Sequence, residues 1–325
     1  MKTKVSVIIP AYNESAAIGP CLTALLRQDG AVYGQDYEII VVDDASTDDT
    51  VSKAAAFPVK VVRSPDNRGR VAARKAGALS AAHDTLVFVD ARVVVSPDLL
   101  DVFWRAGYSP LIGVVRPSAD GDEINPAERI FYLIRRRYYI PRMLYGAGAG
   151  FAYIDKDNFS RSPKGAGCFF VRKDVFLASV PEAFDKYTND DTAIFRHIVF
   201  GMNTPIMRHF GVTLRHSHRT DPARFIEWLM YRGSSFYDFY LRRSMVLRAI
   251  FAAGSAILFL VFLYCIVHPR LFLYTAFFVL PVYAIAVVFL AERVRDTAVV
   301  FPRLWAYILL FYGGMVRRAI ITRFR

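Results

Sequence analysis

The stretch VSVIIPAYNE, residues 5–14, decides the fold, because a strand-forming run gives way after Pro10 to a group of aromatic and polar residues. The same order recurs downstream. YEIIVVD (37–43), VKVVR (59–63) and TLVFVD (85–90) are further short β-branched runs. Helical stretches separate them, from about Glu14 to Arg27, from about Asp48 and from about Arg68 to Ala82, and another helix opens at SPDLL (96–100). This alternation implies right-handed βαβ crossovers and a mainly parallel sheet, an α/β fold that binds ligands at the carboxyl ends of its strands. Polar residues collect at that edge: Tyr12, Asn13 and Glu14 after the first strand, Asp43 and Asp44 after the second, Arg63 to Asn67 after the third, Asp90 and Arg92 after the fourth. There is no GxGxxG after the first strand and no GxxxxGK[ST] anywhere, so a dinucleotide Rossmann site and a P-loop NTPase both lack their phosphate cradle.

Composition adds a second region. The 325 residues are 54% hydrophobic, with positive mean hydropathy, too apolar for an ordinary soluble enzyme. Ala249 to Val267 and Leu271 to Leu290 are stretches of 19 and 20 residues without a charge, each long enough to cross a hydrocarbon core. His268, Pro269 and Arg270 separate them, which predicts an antiparallel helical hairpin. A third run, Leu304 to Val316, has 13 residues between Arg303 and Arg317, and reads either as an interfacial or re-entrant segment or as a third crossing. Arg242, Arg243 and Arg248 precede the hairpin, Arg293 and Arg295 follow it, and Arg270 alone lies in its loop. By the positive-inside rule the N-terminal portion is cytoplasmic.

Of the net charge of +12, residues 241–325 carry +9, from 11 Arg against two acids, leaving +3 for the first 240. That distribution points to anionic lipid headgroups as the basic region's partner and, with no recognisable module, away from nucleic acid. Cys21, Cys168 and Cys265 are too dispersed to form a ligand cluster and read as reduced packing cysteines. The apolar run 5–10 is too short for a secretory leader.

VSVIIPAYNE, EIIVVDDASTDDT (38–50), NRGRVAARKAGALSA (67–81) and LVFVDA (86–91) occur in an order and spacing that resembles the family 2 glycosyltransferases, inverting enzymes with the GT-A nucleotide-diphospho-sugar transferase fold, over roughly residues 4–215. The trailing helices resemble those of the family's membrane-attached members. The implied organisation is a cytoplasmic catalytic domain at 1–222, an amphipathic interfacial region at 223–248, where RFIEWLMYRGSSFYDFYLRR (224–243) ends in arginines, and a membrane domain at 249–325.

The resemblance implies that Pro10, Ala11, Tyr12 and Glu14 line the nucleotide pocket and that Asp44 hydrogen-bonds the base. The competing local reading is that Asn13 and Glu14 start a helix and that Ser46 with Asp49 caps the next one. Gly69 and Gly77 read as close-approach positions, and Arg74 as a contact to phosphate or base; Arg68, Arg70 and Lys75 read equally as a solvated helix face.

The fourth strand ends in an Asp-x-Asp motif in the resembling family, where two acids meet a divalent metal and the diphosphate. Here the sequence is Asp90-Ala91-Arg92. Three readings stand: Arg92 supplies the positive charge itself; Mg²⁺ or Mn²⁺ is held by Asp90 with His216 or His218; or Asp90 and Arg92 form a salt bridge in a site that has lost catalysis. An inverting transfer also needs a general base. In FDKYTNDDTAIFRHIVFG (184–201), counting back from Arg196 and Gly201 to the family's Glu-Asp pair puts Asp190 at the base position, and a one-residue shift nominates Asp191. The bland alternative is that Thr188 or Asn189 caps the helix and the acids favour its N-terminus.

GAGCFFVRKDVF (165–176) resembles the family's acceptor-side strand, with Gly165 and Gly167 leaving room for substrate. Arg135, Arg136 and Arg137, among aromatics in 128–150, suit a polyprenyl phosphate or lipid headgroup as well as a solvated face. The absence of Gln-x-x-Arg-Trp and of a large membrane domain points to transfer of a single sugar. The competing classes are an inactive membrane-bound binding subunit and a permease, and the latter lacks facing polar residues within the spans.

Overall fold

The computed structural model describes residues 2–115, 126–139, 143, 150–165, 167–186, 188, 190–216, 222–242, 244–291 and 294–323. The chain forms two compact units, Met1–Glu123 with Tyr138–His218, and Ile124–Arg137 with Arg219–Arg325. Residues 124–137 therefore go with the C-terminal part, although they fall inside the stretch 1–222 expected to form one catalytic domain.

The first unit is built on β1 (Val5–Ala11), β2 (Tyr37–Asp43), β3 (Lys60–Arg63), β4 (Thr85–Val89), β5 (Val93–Val95), β6 (Leu111–Val115), β7 (Phe151–Ile154), β8 (Cys168–Arg172) and β9 (Ile206–His216). They make one sheet in the order β3-β2-β1-β4-β8-β6-β9-β5, with β7 also on β9. The pairs β3–β2, β2–β1, β1–β4 and β6–β9 are parallel; β8 is antiparallel to both β4 and β6. The near-continuous apolarity of β1 and β4, broken by Ser6 and Thr85, follows from their position, since every residue of both is buried and a central parallel strand is covered on both faces. β3, at the edge, has no buried residue. The helices α1 (Ile18–Leu25), α2 (Thr50–Ala55), α3 (Arg70–Ser80) and α4 (Leu99–Ala106) follow β1, β2, β3 and β5.

α3 sits hard against the sheet at Gly77, where an added Cβ would come within 2.3 Å of Ile8 Cγ2 and 3.0 Å of Val42 Cγ2. Neither atom is the free end of a flexible chain. Gly77→Ala is therefore expected to be net destabilising, because overpacking costs about 1–3 kcal/mol against roughly 1 kcal/mol of helix-propensity gain. A thermal melt checks this: an unchanged or raised midpoint would mean that α3 is not seated on β1 at this point.

The second unit comprises α5 (Pro126–Tyr138, up to Arg137), then, after α6 (Lys173–Ser179) and α7 (Asp190–Arg196) of the first unit, α8 (Pro222–Phe236), α9 (Met245–Val267), α10 (Pro269–Leu290) and α11 (Val294–Arg323). Its core joins Ile130 and Leu133 of α5 to Leu229, Tyr283, Val287, Val300, Leu304 and Tyr307. Arg129 donates to both carboxylate oxygens of Asp296 at 2.9 and 3.0 Å. α8 and α11 touch through backbone: a Cβ on Gly233 would lie 1.9 Å from the Phe311 carbonyl oxygen, and one on Gly314 would lie 2.0 Å from that of Met230. Ser234 Oγ donates to the Gly314 carbonyl at 3.0 Å in the same place.

α9 and α10 fall on the two apolar stretches expected to form a hairpin, with His268 at the bend. Among the described residues only Val300–Thr322 is both long and apolar enough to cross a membrane by length and composition, while Met245–Val261 and Leu280–Leu290 are shorter apolar segments. The run 304–316, which looked too short for a span when bounded by its arginines, is thus part of a 30-residue helix. Arg318 does not interrupt it because the side chain is buried and Nε donates to Asp238 Oδ2 at 2.7 Å.

Candidate functional site

The loops after β1 and β2 interlock. The Asp44 amide donates to the Ala11 carbonyl at 2.8 Å, the Asn13 amide to Ser46 Oγ at 2.9 Å, the Glu14 amide to Thr50 Oγ1 at 2.8 Å, and the Thr47 amide to Asn13 Oδ1 at 2.8 Å. Asn13 takes φ 52°, the left-handed conformation that Asn tolerates best after Gly. These bonds replace the helix-capping alternative: α1 begins only at Ile18, and the Ala17 and Asp49 caps of α1 and α2 make no side-chain capping bond. Pro10 and Ala11 are buried within β1, and the residue exposed at its end is Tyr12.

Asp44 closes this edge against α3. Its two carboxylate oxygens accept from the Arg68 amide at 3.0 Å and the Gly69 amide at 2.7 Å. Burial pushes the carboxyl above its ordinary pKa, while those two amide bonds pull it down. Gly69 is required twice over, by φ +88° and by a hypothetical Cβ 2.4 Å from Lys186 Cα. The start of α3 therefore packs on the loop that leads to α7.

The fourth strand ends before the site residues. β4 stops at Val89, and the Val93 amide donates to the Asp90 carbonyl at 2.8 Å, so Asp90-Ala91-Arg92 forms a turn. The two-residue alternation of an extended chain is lost there, and Asp90 and Arg92 take different partners. Arg92 Nε donates to Glu14 Oε1 at 2.8 Å, which corrects the reading of an Asp90–Arg92 salt bridge. Asp90 Oδ1 accepts from Arg74 Nη2 at 3.0 Å, and Arg74 Nη1 donates to Asp191 Oδ1 at 2.6 Å.

That guanidinium is 1% exposed and bridges the end of β4 to the first turn of α7. Expected at a phosphate or base, Arg74 is engaged here by two acids. Sequence spacing carried no signal of the contact, because the partners lie 16 and 117 residues away. The bridge brings Asp191 beside the end of β4; Asp190 opens α7, and its side chain lies outside the described residues.

Just before β8 the Gly167 carbonyl accepts from the Asp90 amide at 3.1 Å. A Cβ on Gly165 would meet nothing within 4 Å, so the space there is open. Lys164, just before it, is a buried lysine that sequence reading did not single out. Its ammonium donates to the Phe159 and Ser162 carbonyls at 2.5 and 2.9 Å, and burial lowers its pKa to about 8. Arg135, Arg136 and Arg137 occupy the last turn of α5 in the second unit, with the Arg137 guanidinium 4.9 Å from the centre of the Phe289 ring.

Of the residues expected to hold Mg²⁺ or Mn²⁺, Asp90 is engaged by Arg74, His216 pairs through its backbone with Val93 and has no described side chain, and His218 lies outside the described residues. Among the described residues no group of three or more His, Cys, Asp or Glu is placed to hold a metal ion. The Asp90 carboxylate, the kind of oxygen ligand such cations take, is here paired with a guanidinium.

The dolichol-phosphate mannosyltransferase of Pyrococcus furiosus is 40% identical over 101 residues, 30% of this chain and 28% of its own. The matched stretches of the first three curated relatives span less than a third of those proteins' length. Among solved structures, the mannosyltransferase PcManGT from Pyrobaculum calidifontis, determined with GDP-Man and Mn²⁺, superposes with a TM-score of 0.55 at 18% identity over 98% of this chain and 88% of that one. Residues 1–349 of S. aureus TarS, determined with UDP-GlcNAc, give 0.52 at 16% identity, over 72% and 66%. At such identities the likeness is one of fold. The sequence profile described as Glycosyl transferase family 2 matches residues 6–177. With more than half the chain matched, and a mainly parallel sheet whose polar residues gather at one edge, the chain belongs to glycosyl transferase family 2.

Proposed function

We propose that the protein is an inverting enzyme that moves one sugar from a nucleoside-diphosphate sugar to a lipid-linked or envelope-glycan acceptor at the cytoplasmic face of a membrane. Residues 1–222 hold the catalytic site, 223–248 lie at the interface, and 249–325 attach the chain through the hairpin arms 249–267 and 271–290. The observation that carries the reaction is the Arg74 bridge, since it sets a carboxylate of α7 within one guanidinium of the donor edge. Support for a lipid phosphate acceptor comes from the similarity to the dolichol-phosphate enzyme. Support for lipid around the hairpin comes from its exposed apolar side chains, Phe259, Leu260, Ile285 and Val288 among them.

In this reading Pro10, Ala11, Tyr12, Glu14 and Asp44 form the nucleoside pocket. Arg92 exchanges its Glu14 partner for the donor's diphosphate, a match of guanidinium to phosphate oxygens. Asp191, one residue past the Asp190 that the family spacing puts at the base position, accepts the proton of the acceptor hydroxyl while that oxygen attacks the anomeric carbon, and Asp190 is the other candidate. The new glycosidic bond forms as the bond to the diphosphate oxygen breaks, and the electron pair leaves with the nucleoside diphosphate. A single displacement inverts the anomeric centre. The acceptor enters over Gly165 and Gly167; Arg135, Arg136 and Arg137 are the candidates for binding a lipid phosphate.

Calorimetric titration of the purified protein with UDP and GDP, in EDTA and again in excess Mn²⁺, tests the donor site. We expect the same affinity in both, and a loss of about tenfold or more in Arg92→Ala, in line with about 1.5–3 kcal/mol for a hydrogen bond to a charged group. Binding only with Mn²⁺ would return Asp90 to the metal and end the Arg92 reading. Binding of neither nucleotide under either condition would remove the donor site from this edge.

A further inference from the structure

In the second unit α11 runs across the arms of the α9–α10 hairpin. Trp305 stacks on Tyr283 of α10 and Phe301 meets the same ring edge-on, with ring centres 4.6 and 5.3 Å apart. Tyr312 packs on Phe251 of α9 at 5.6 Å and donates to the Ser255 hydroxyl. Tyr283 and Ser255 stand about fourteen residues from the His268 bend on their respective arms, roughly 20 Å at about 1.5 Å per residue. A helix following either arm would change depth by roughly 16 Å between residues 301 and 312, whereas α11 meets both arms at one depth. α8 is fastened along it by the contacts at Gly233 and Gly314, and the Arg318–Asp238 pair sets its C-terminal part beside the segment that leads into α9.

Two crosswise sets of helices do not both span a bilayer, and charge decides between them. α8, α11 and the turn between α8 and α9 carry Glu227, Arg232, Asp238, Arg303, Arg317 and Arg318, while 249–267 and 271–290 carry no charge. Charged side chains at mid-bilayer are costly and rare. We propose that α11 lies in the plane of an anionic membrane surface, at the mouth of the inserted hairpin, and does not cross, although its length and apolarity satisfy those of a span. Its two faces fit that setting. Val300, Leu304, Gly314 and Arg318 are buried towards the protein, while Trp305, Ile308, Leu309 and Ile320 are 41–64% exposed on the other side. Arg317, exposed beside that face, suits the phosphate level of a lipid surface as the apolar side chains enter the acyl boundary.

The placement rests on the membrane reading of the hairpin, and the test separates the two. The full chain, in a Cys265→Ser background, is inserted into sealed vesicles of phosphatidylcholine with phosphatidylglycerol. Thr322→Cys and, as the reference beside Asp238, Arg242→Cys are then labelled with a membrane-impermeant maleimide. Labelling of both from one face is expected; labelling from opposite faces would overturn the proposal. As a second readout, Trp305→Phe should remove most of the fluorescence quenched by lipids brominated near the headgroup, and preferential quenching by bromines at the chain ends would equally overturn it. Release of the unmodified protein by alkaline carbonate would overturn the hairpin reading itself, and this placement with it.

Discussion

Asp191→Asn is expected to lower sugar transfer by about 10²–10⁴-fold, the contribution of a positioned general base, while UDP or GDP affinity changes by no more than a few-fold. The separation arises because Asp191 sits on the first turn of α7, whereas the residues proposed to hold the nucleoside are on the loops after β1 and β2. The substitution also takes a carboxylate from a guanidinium that is 1% exposed, and uncovering a buried charge is destabilising. Rates should therefore be referred to folded protein, measured by a melt of the same sample. Asp190→Asn, made in parallel, should retain most of its turnover. If it loses transfer and Asp191→Asn keeps it, the base is the first residue of the helix and the Arg74 bridge is a structural tie.

Gly233→Leu or Gly314→Leu should disrupt the second unit. An added Cβ would meet a backbone carbonyl oxygen at 1.9 or 2.0 Å, and neither helix can yield without moving as a whole. The cost should reach or exceed about 3 kcal/mol, the upper end of ordinary overpacking, and would appear as a large fall in thermal midpoint in detergent and in recovered folded protein. Gly254→Ala is the control, because a Cβ there meets nothing within 4 Å. Equal behaviour of all three variants would mean that α8 and α11 are not held at backbone contact.

The parallel half of the sheet was legible because its cause is local: VSVIIPA and TLVFV are largely apolar because both faces of each strand are covered. Gly69 and Gly77 could be read as close approaches for the same reason, one seated on Lys186 and the other on Ile8. The pairing inside the site was not legible. Asp90 and Arg92 could be read as a salt bridge, but the chain turns after Val89, and Arg92 meets Glu14 from 78 residues earlier. Only the fold brings Arg74 between Asp90 and Asp191, since long-range ion pairs leave no periodic trace. The direction of α11 was hidden differently: hydropathy reports the length of an apolar run, not the line along which the helix lies.

The insertion of α5 bears on how such a protein is inherited. The backbone passes between the two units three times, at 123/124, 137/138 and 218/219. The C-terminal helices are therefore not a cassette that recombination could exchange at a single junction. A crossover near residue 222 would leave Ile130 and Leu133 facing helices they were not selected to cover, in place of Leu229, Tyr283 and Val287. Lineages that change the membrane part should change α5 with it.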